Sequence, residues 1–101
     1  MEMKETKMNK KVFQENLNSK NYDKCIEILR REIIMHLEQE IKRKDENFHY
    51  TTTEDLYYKS KKVLKGDKVE VAYKLYSFDI MDESDEYILF ELMDIYNEAK
   101  Q

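Results

Sequence analysis

His36 is the residue of this chain best placed for acid–base chemistry, because it stands on the apolar face of a helical run with two arginines shortly before it. Imidazole exchanges protons near neutral pH. Arg30 or Arg31 could steady the charge that develops at a phosphodiester while RNA is cleaved. Arg31 and His36 have four residues between them, a spacing such chemistry can use. On a regular helix, side chains five residues apart diverge by about 140°, and Arg30 stands about 120° from His36. One helix therefore does not aim both groups at one bond, although a second copy could supply the missing one. The plainer reading of His36 is a core-edge histidine with its nitrogens satisfied.

The other reactive side chains point away from catalysis. His49 lies in a polar stretch between Phe48 and Tyr50 and reads as a surface loop residue. Cys25 is the sole cysteine and falls on an apolar helix face. Reactive thiols need partly exposed, basic surroundings, so Cys25 reads as a small core residue. Positions 25, 36 and 49 have no metal-ligand spacing. Asp82 and Asp85 lack the glycine and oxygen-ligand rhythm of a calcium loop. One glycine cannot build a phosphate-binding loop. These residues predict no metal, no cofactor and no enzyme.

The elements that would position such residues are helices. With 101 residues, no Pro and one Gly, almost nothing interrupts helix, and the length sets one domain. The strongest pattern runs from Tyr22 to Lys44. Wrapped at 3.6 residues per turn, Tyr22, Cys25, Ile26, Leu29, Ile33, His36, Leu37 and Glu40 share a face, widened by Ile28 and Met35. Lys10 to Asn18 predicts a short helix with Val12, Phe13 and Leu17 on one side, and residues 1–9 predict a frayed tail. Asn21 is the expected N-cap of the long helix. A third helix starts near Thr51, where Thr51 with Glu54 has the better capping-box chemistry and Thr52 with Asp55 the same spacing. Gly66 is placed to end it in a left-handed C′ conformation.

Residues 68–76 are ambiguous. Val69, Val71, Tyr73 and Leu75 alternate as in a strand, while Val69, Ala72, Tyr73 and Tyr76 fit a helix. Helix is the expectation, since a lone strand would have no partner. Ser77 to Glu83 reads as a loop. Ser84 then caps a last helix with the stripe Ile88, Leu89, Leu92, Ile95, Tyr96 and Ala99.

Charge is unevenly spread. From Asp79 to Glu98 there are eight acids (Asp79, Asp82, Glu83, Asp85, Glu86, Glu91, Asp94, Glu98) and no base. Lys59, Lys61, Lys62, Lys65 and Lys68 form a basic stretch beside Tyr57, Tyr58 and Tyr73. Lysines interleaved with aromatics can hold single-stranded nucleic acid. A solvated helix face is the favoured reading of them, and a net charge of −4 opposes general nucleic-acid binding. Eight tyrosines exceed what a small core needs, and tyrosine is enriched at protein interfaces.

The stretch Asn21-Tyr22-Asp23-Lys24-Cys25-Ile26-Glu27-Ile28-Leu29-Arg30-Arg31 resembles the second helix of HEPN-type helical bundles, over about a third of the chain. It also resembles the first helix of a TPR unit, but no repeat follows it. The HEPN resemblance implies a helical bundle. HEPN ribonucleases usually open a later helix with Arg-x4-6-His near a dimer seam. This chain has no Arg after Arg43 and no His after His49, so the resemblance implies a non-catalytic member.

These readings predict an all-α domain over residues 10–101, with four to five helices around the long one. No apolar run is long enough for a membrane span or a signal peptide, so the expected setting is a reducing cytoplasm. The expected function is protein binding, as an adaptor or inhibitor of nucleic-acid machinery. It would dock a basic partner through Asp82, Glu83, Asp85, Glu86, Tyr87, Glu91 and Asp94. A homodimer is also expected from the small core. The alternative is a HEPN-like RNase or inactive helper built on Arg30, Arg31 and His36.

Overall fold

The structure, a computed structural model, describes residues 9–100, with the side chains of residues 98–100 left aside. The expected tail at residues 1–8, and the side chains of Glu98 and Ala99, lie outside the described residues. Asn9, read above as tail, instead caps α1 (Lys10–Asn18): its Oδ1 accepts from the Val12 amide at 3.2 Å. Phe13 is the buried residue of α1, and Leu17 is half-buried. Val12 is exposed, contrary to expectation, because it sits about 100° from Phe13 around the helix.

Lys20 takes a left-handed φ of 61° and turns the chain into α2 (Tyr22–Lys42). Asn21 does not cap α2 with its side chain. Its Nδ2 donates to Asn16 Oδ1 at 3.2 Å and ties the turn back to α1. The buried side of α2 is Cys25, Leu29, Glu32, Ile33, Leu37 and Ile41. The helix stops short of Lys44, where the Lys44 and Asp45 amides both close onto the Ile41 carbonyl. The following loop folds Phe48 into the core and stacks it on Tyr50.

Thr52, not Thr51, caps α3 (Thr53–Val63). Thr52 Oγ1 accepts from the Asp55 amide at 3.1 Å, and Asp55 Oδ2 accepts from the Thr51 amide at 3.0 Å. The Thr51 amide holds the Asp55 carboxyl below the usual range, with Lys59 and the Thr51 hydroxyl acting the same way. A lowered carboxyl pKa contributes stability above the ordinary aspartate range, lost as pH falls through the lowered value. Asp55→Asn is therefore expected to lower the urea midpoint near pH 7, and the gap from wild type should close on acidification. Equal gaps at every pH would exclude this role.

Gly66 is not the C′ residue of α3, which ends at Val63 with Leu64 extended behind it. It occupies the N-cap position of α4 (Asp67–Ile80), with φ 65° and ψ −134°. The Val69 and Glu70 amides close onto its carbonyl. A Cβ at Gly66 would meet nothing within 4 Å, so only the backbone conformation demands glycine. Gly66→Ala is expected to destabilise by about 1–3 kcal/mol, read from urea unfolding.

The ambiguous segment is helix, and α4 runs through the residues expected to be a loop as far as Ile80. Ser77 Oγ donates to the Lys74 carbonyl at 2.9 Å, and Phe78 packs on the core, so the last turn is held. Ser84 caps α5 (Asp85–Lys100) as expected: its Oγ accepts from the Tyr87 amide at 3.3 Å. The chain is all-α, with no strand among the described residues. The long α2 packs along α5, α3 pairs with α4, α4 joins the two pairs, and α1 covers α2. Leu29, Ile33, Leu37, Leu56, Val71, Leu75, Leu89, Leu92 and Ile95 form the core.

Candidate functional site

Three surfaces carry the residues singled out above. The first is a cleft of about 500 Å³ lined by Glu27, Arg30, Arg31, Ile34, Met35, Glu38 and Tyr50. Arg30 is committed within it. Its Nη2 reaches Asp79 Oδ2 on α4 at 2.7 Å, and the same oxygen accepts from Thr53 Oγ1 on α3. Arg31 is exposed and pairs with Glu27 at 3.4 Å. Burial raises the Tyr50 hydroxyl pKa, Glu38 adds to the rise and Arg30 opposes it.

His36 does not line this cleft. It lies edge-on against Tyr96 of α5, ring centroids 6.3 Å apart. Burial, then the nearby Glu32 carboxylate, raises the Tyr96 hydroxyl pKa. The structure thus sends His36 and the arginines to different neighbours, as their angles on α2 require. Cys25 is fully buried, with its Sγ 3.8 Å from the Phe13 carbonyl. Burial and then Asp23 raise its thiol pKa, which suits packing rather than nucleophilic attack. No group of His, Cys, Asp and Glu among the described residues is arranged to hold a metal ion.

The second surface joins α3 and α4. Tyr57 stacks on Tyr76 at 6.1 Å and meets Tyr73 edge-on at 5.3 Å, with Tyr58 tilted beside it at 5.1 Å. Lys61 Nζ sits 5.2 Å from the Tyr57 centroid and 5.3 Å from that of Tyr58. Lys62 and Lys65 are exposed, but Lys59 is not a free member of this group. Its Nζ donates to the His49 carbonyl at 2.8 Å and pairs with Asp55 at 3.3 Å, so it fastens the loop to α3. The i,i+4 spacing of Asp55 and Lys59 was the sequence signal for that pair.

The third surface is the outer side of α5 with the connection before it. Asp82, Glu83, Asp85, Glu86, Tyr87 and Asp94 are exposed, and Glu91 is half-buried. None of these acids is in an ion pair among the described residues. Asp79 departs from the group, being taken by Arg30. Two large apolar side chains stand out to solvent here, Phe90 at 57% exposure and Tyr87 at 44%, and Ile80, which ends α4 just before the connection, is 69% exposed. Tyr87, Phe90 and Asp94 are three, four and seven apart and so share one helix face. Phe90 and Ile80 escaped the sequence reading. The signal for Phe90 was present, since it falls opposite the stripe of Leu89, Leu92 and Ile95.

Comparison with protein-family models, with curated proteins and with solved structures finds no match to the chain. No helix among the described residues is long and apolar enough to cross a membrane.

Proposed function

We propose that this chain is a non-enzymatic binding module that docks a basic protein through the outer face of α5. The observation that carries this reading is the exposure of Tyr87, Phe90 and Ile80 amid carboxylates without ion-pair partners among the described residues. Large apolar groups rimmed by charge mark interaction surfaces more often than bare solvent faces. Asp82, Glu83, Asp85, Glu86 and Asp94 would steer a basic partner inward and make association salt-sensitive. Tyr87 and Phe90 would supply the contact area that holds it. Two copies of such a face repel one another, so the occupant is a different molecule. A partner that ordinarily grips nucleic acid has the required chemistry, which makes an adaptor or inhibitor of such machinery the fitting role.

The test uses native-cell lysate proteins first enriched on heparin, so that the input is basic. Immobilised wild type is expected to retain a protein that Asp82→Lys, Glu83→Lys, Asp85→Lys and Glu86→Lys together release. Phe90→Ser with Tyr87→Ser should release the same protein while leaving helicity unchanged. Retention by wild type should fall between 0.05 and 0.5 M salt, as the screening length drops from above 10 Å to a few ångströms. Equal capture by all three proteins would remove the proposal.

A further inference from the structure

Between α3 and α4 lies a groove of about 530 Å³ lined by Tyr57, Lys61, Gly66, Val69, Glu70 and Tyr73. It is on different helices from the acidic face of α5. The Lys61 ammonium stands over the Tyr57 and Tyr58 rings. It forms no ion pair among the described residues. These ring faces therefore already hold a cation, drawn by the negative face of each aromatic quadrupole. Two carboxylates flank the cluster. Glu70 lines the groove directly and is in no ion pair among the described residues. Glu54 lies near enough to Tyr76 to be the main cause of its raised hydroxyl pKa. Gly66 leaves the end of the groove without a side chain.

We infer that this groove receives a guanidinium group, an arginine side chain presented by a peptide, and that Lys61 is its resident placeholder. Arginine fits better than lysine. Its planar head stacks on an aromatic face and can bond a carboxylate through two parallel donors. Here Tyr73 is half-exposed and offers the face, while Glu70 offers the carboxylate. A phosphate-bearing strand would meet Lys61, but Glu70 lines the same groove and opposes it. Entry of the guanidinium displaces the flexible Lys61 stem toward solvent, where an ammonium is well hydrated.

The experiment titrates labelled protein with acetyl-Gly-Arg-Gly-amide and follows backbone amide shifts. The same peptide with citrulline in place of arginine has nearly the same shape and no charge. The arginine peptide is expected to shift Gly66, Val69, Glu70 and Tyr73, with citrulline about tenfold weaker. Glu70→Gln and Tyr73→Leu should each weaken binding about fivefold. Lys61→Ala should tighten it severalfold, a gain that no loss of folding imitates. Circular dichroism checks that each variant keeps its helicity. The inference is overturned if citrulline binds as well as arginine, or if Lys61→Ala leaves affinity unchanged. It is overturned equally if oligo-thymidylate shifts these amides and the arginine peptide does not. Shifts confined to residues 82–94 would assign the peptide to the acidic face and count against the groove.

Discussion

Ile33→Ala is expected to remove about 2–5 kcal/mol of stability, the largest effect of any single truncation considered for this chain. Ile33 is completely buried near the middle of α2, the helix that packs along α5 and is covered by α1. Alanine removes three carbons from a site whose walls belong to helices held elsewhere. Leu29 and Leu37, one turn either side, stay anchored in the same core and cannot collapse into the gap. The loss therefore includes a cavity as well as the transfer term. Domains of this size are stable by about 5–15 kcal/mol, so the variant retains a folded state of much reduced margin. Urea unfolding followed by helix ellipticity should show a lower midpoint with an unchanged slope. Ile34→Ala, at the neighbouring half-buried position, is the control and should lose clearly less. A loss below about 1 kcal/mol at Ile33 would mean that α2 is not the centre of the core.

That central role was legible because α2 spans 21 residues, enough turns for a 3.6 period to stand out from noise. Two features of α2 were hidden. Glu32 is buried, although its charge argues for solvent, because it lies in the seam beside Tyr96 of α5. Ile41 extends the buried face beyond the residues first grouped there. The ambiguity of residues 68–76 also has a physical cause. α4 packs against α3 on one side and α5 on another. A helix buried on two sides carries apolar residues around much of its girth, and Val69, Val71, Tyr73 and Leu75 then imitate a strand.

Caps were less legible than faces. Thr51 and Thr52 both satisfy a spacing rule, and only the three-dimensional path decides between them. Asn21 keeps the expected N-cap position of α2 but sends its side chain to Asn16, since an asparagine can bond a neighbouring turn as readily as its own helix. Surface chemistry divided in the same way. The acids of α5 were readable from composition, because no base interrupts residues 79–98. The tyrosines were readable as an excess and as neighbours of the lysines but not as ring contacts, because Tyr57 meets Tyr73 and Tyr76 across a helix pair. The partners of Asp79 were not readable at all: they are 49 and 26 residues away along the chain.

Asp79→Ala is expected to remove about 1–3 kcal/mol through that junction. One carboxylate oxygen accepts from Arg30 on α2 and from the Thr53 hydroxyl on α3, so three helices meet at one atom. The Arg30–Asp79 pair is about one-third exposed, at 34% for each side chain, which keeps its own contribution toward the low end. Thr53 is buried, and truncating Asp79 leaves its hydroxyl without this acceptor. Asp79→Asn keeps an acceptor for Thr53 and removes the charge, so it should lose less than alanine. Arg30→Ala combined with Asp79→Ala should lose less than the sum of the single variants, because both delete the same bond. Full additivity would mean the pair contributes nothing. The junction also bears on display of the acidic face, since Asp79 lies in the last turn of α4, next to Ile80 and the residues leading into α5. Amide exchange should rise in residues 77–80 of Asp79→Ala well before it rises at Leu89 or Leu92. A variant that unfolds more readily without loosening that turn first would place the stabilising effect of Asp79 on α2 and α3 alone. If it loosens as expected, capture through Tyr87 and Phe90 should weaken too, because the acids preceding α5 would no longer be held in register with them.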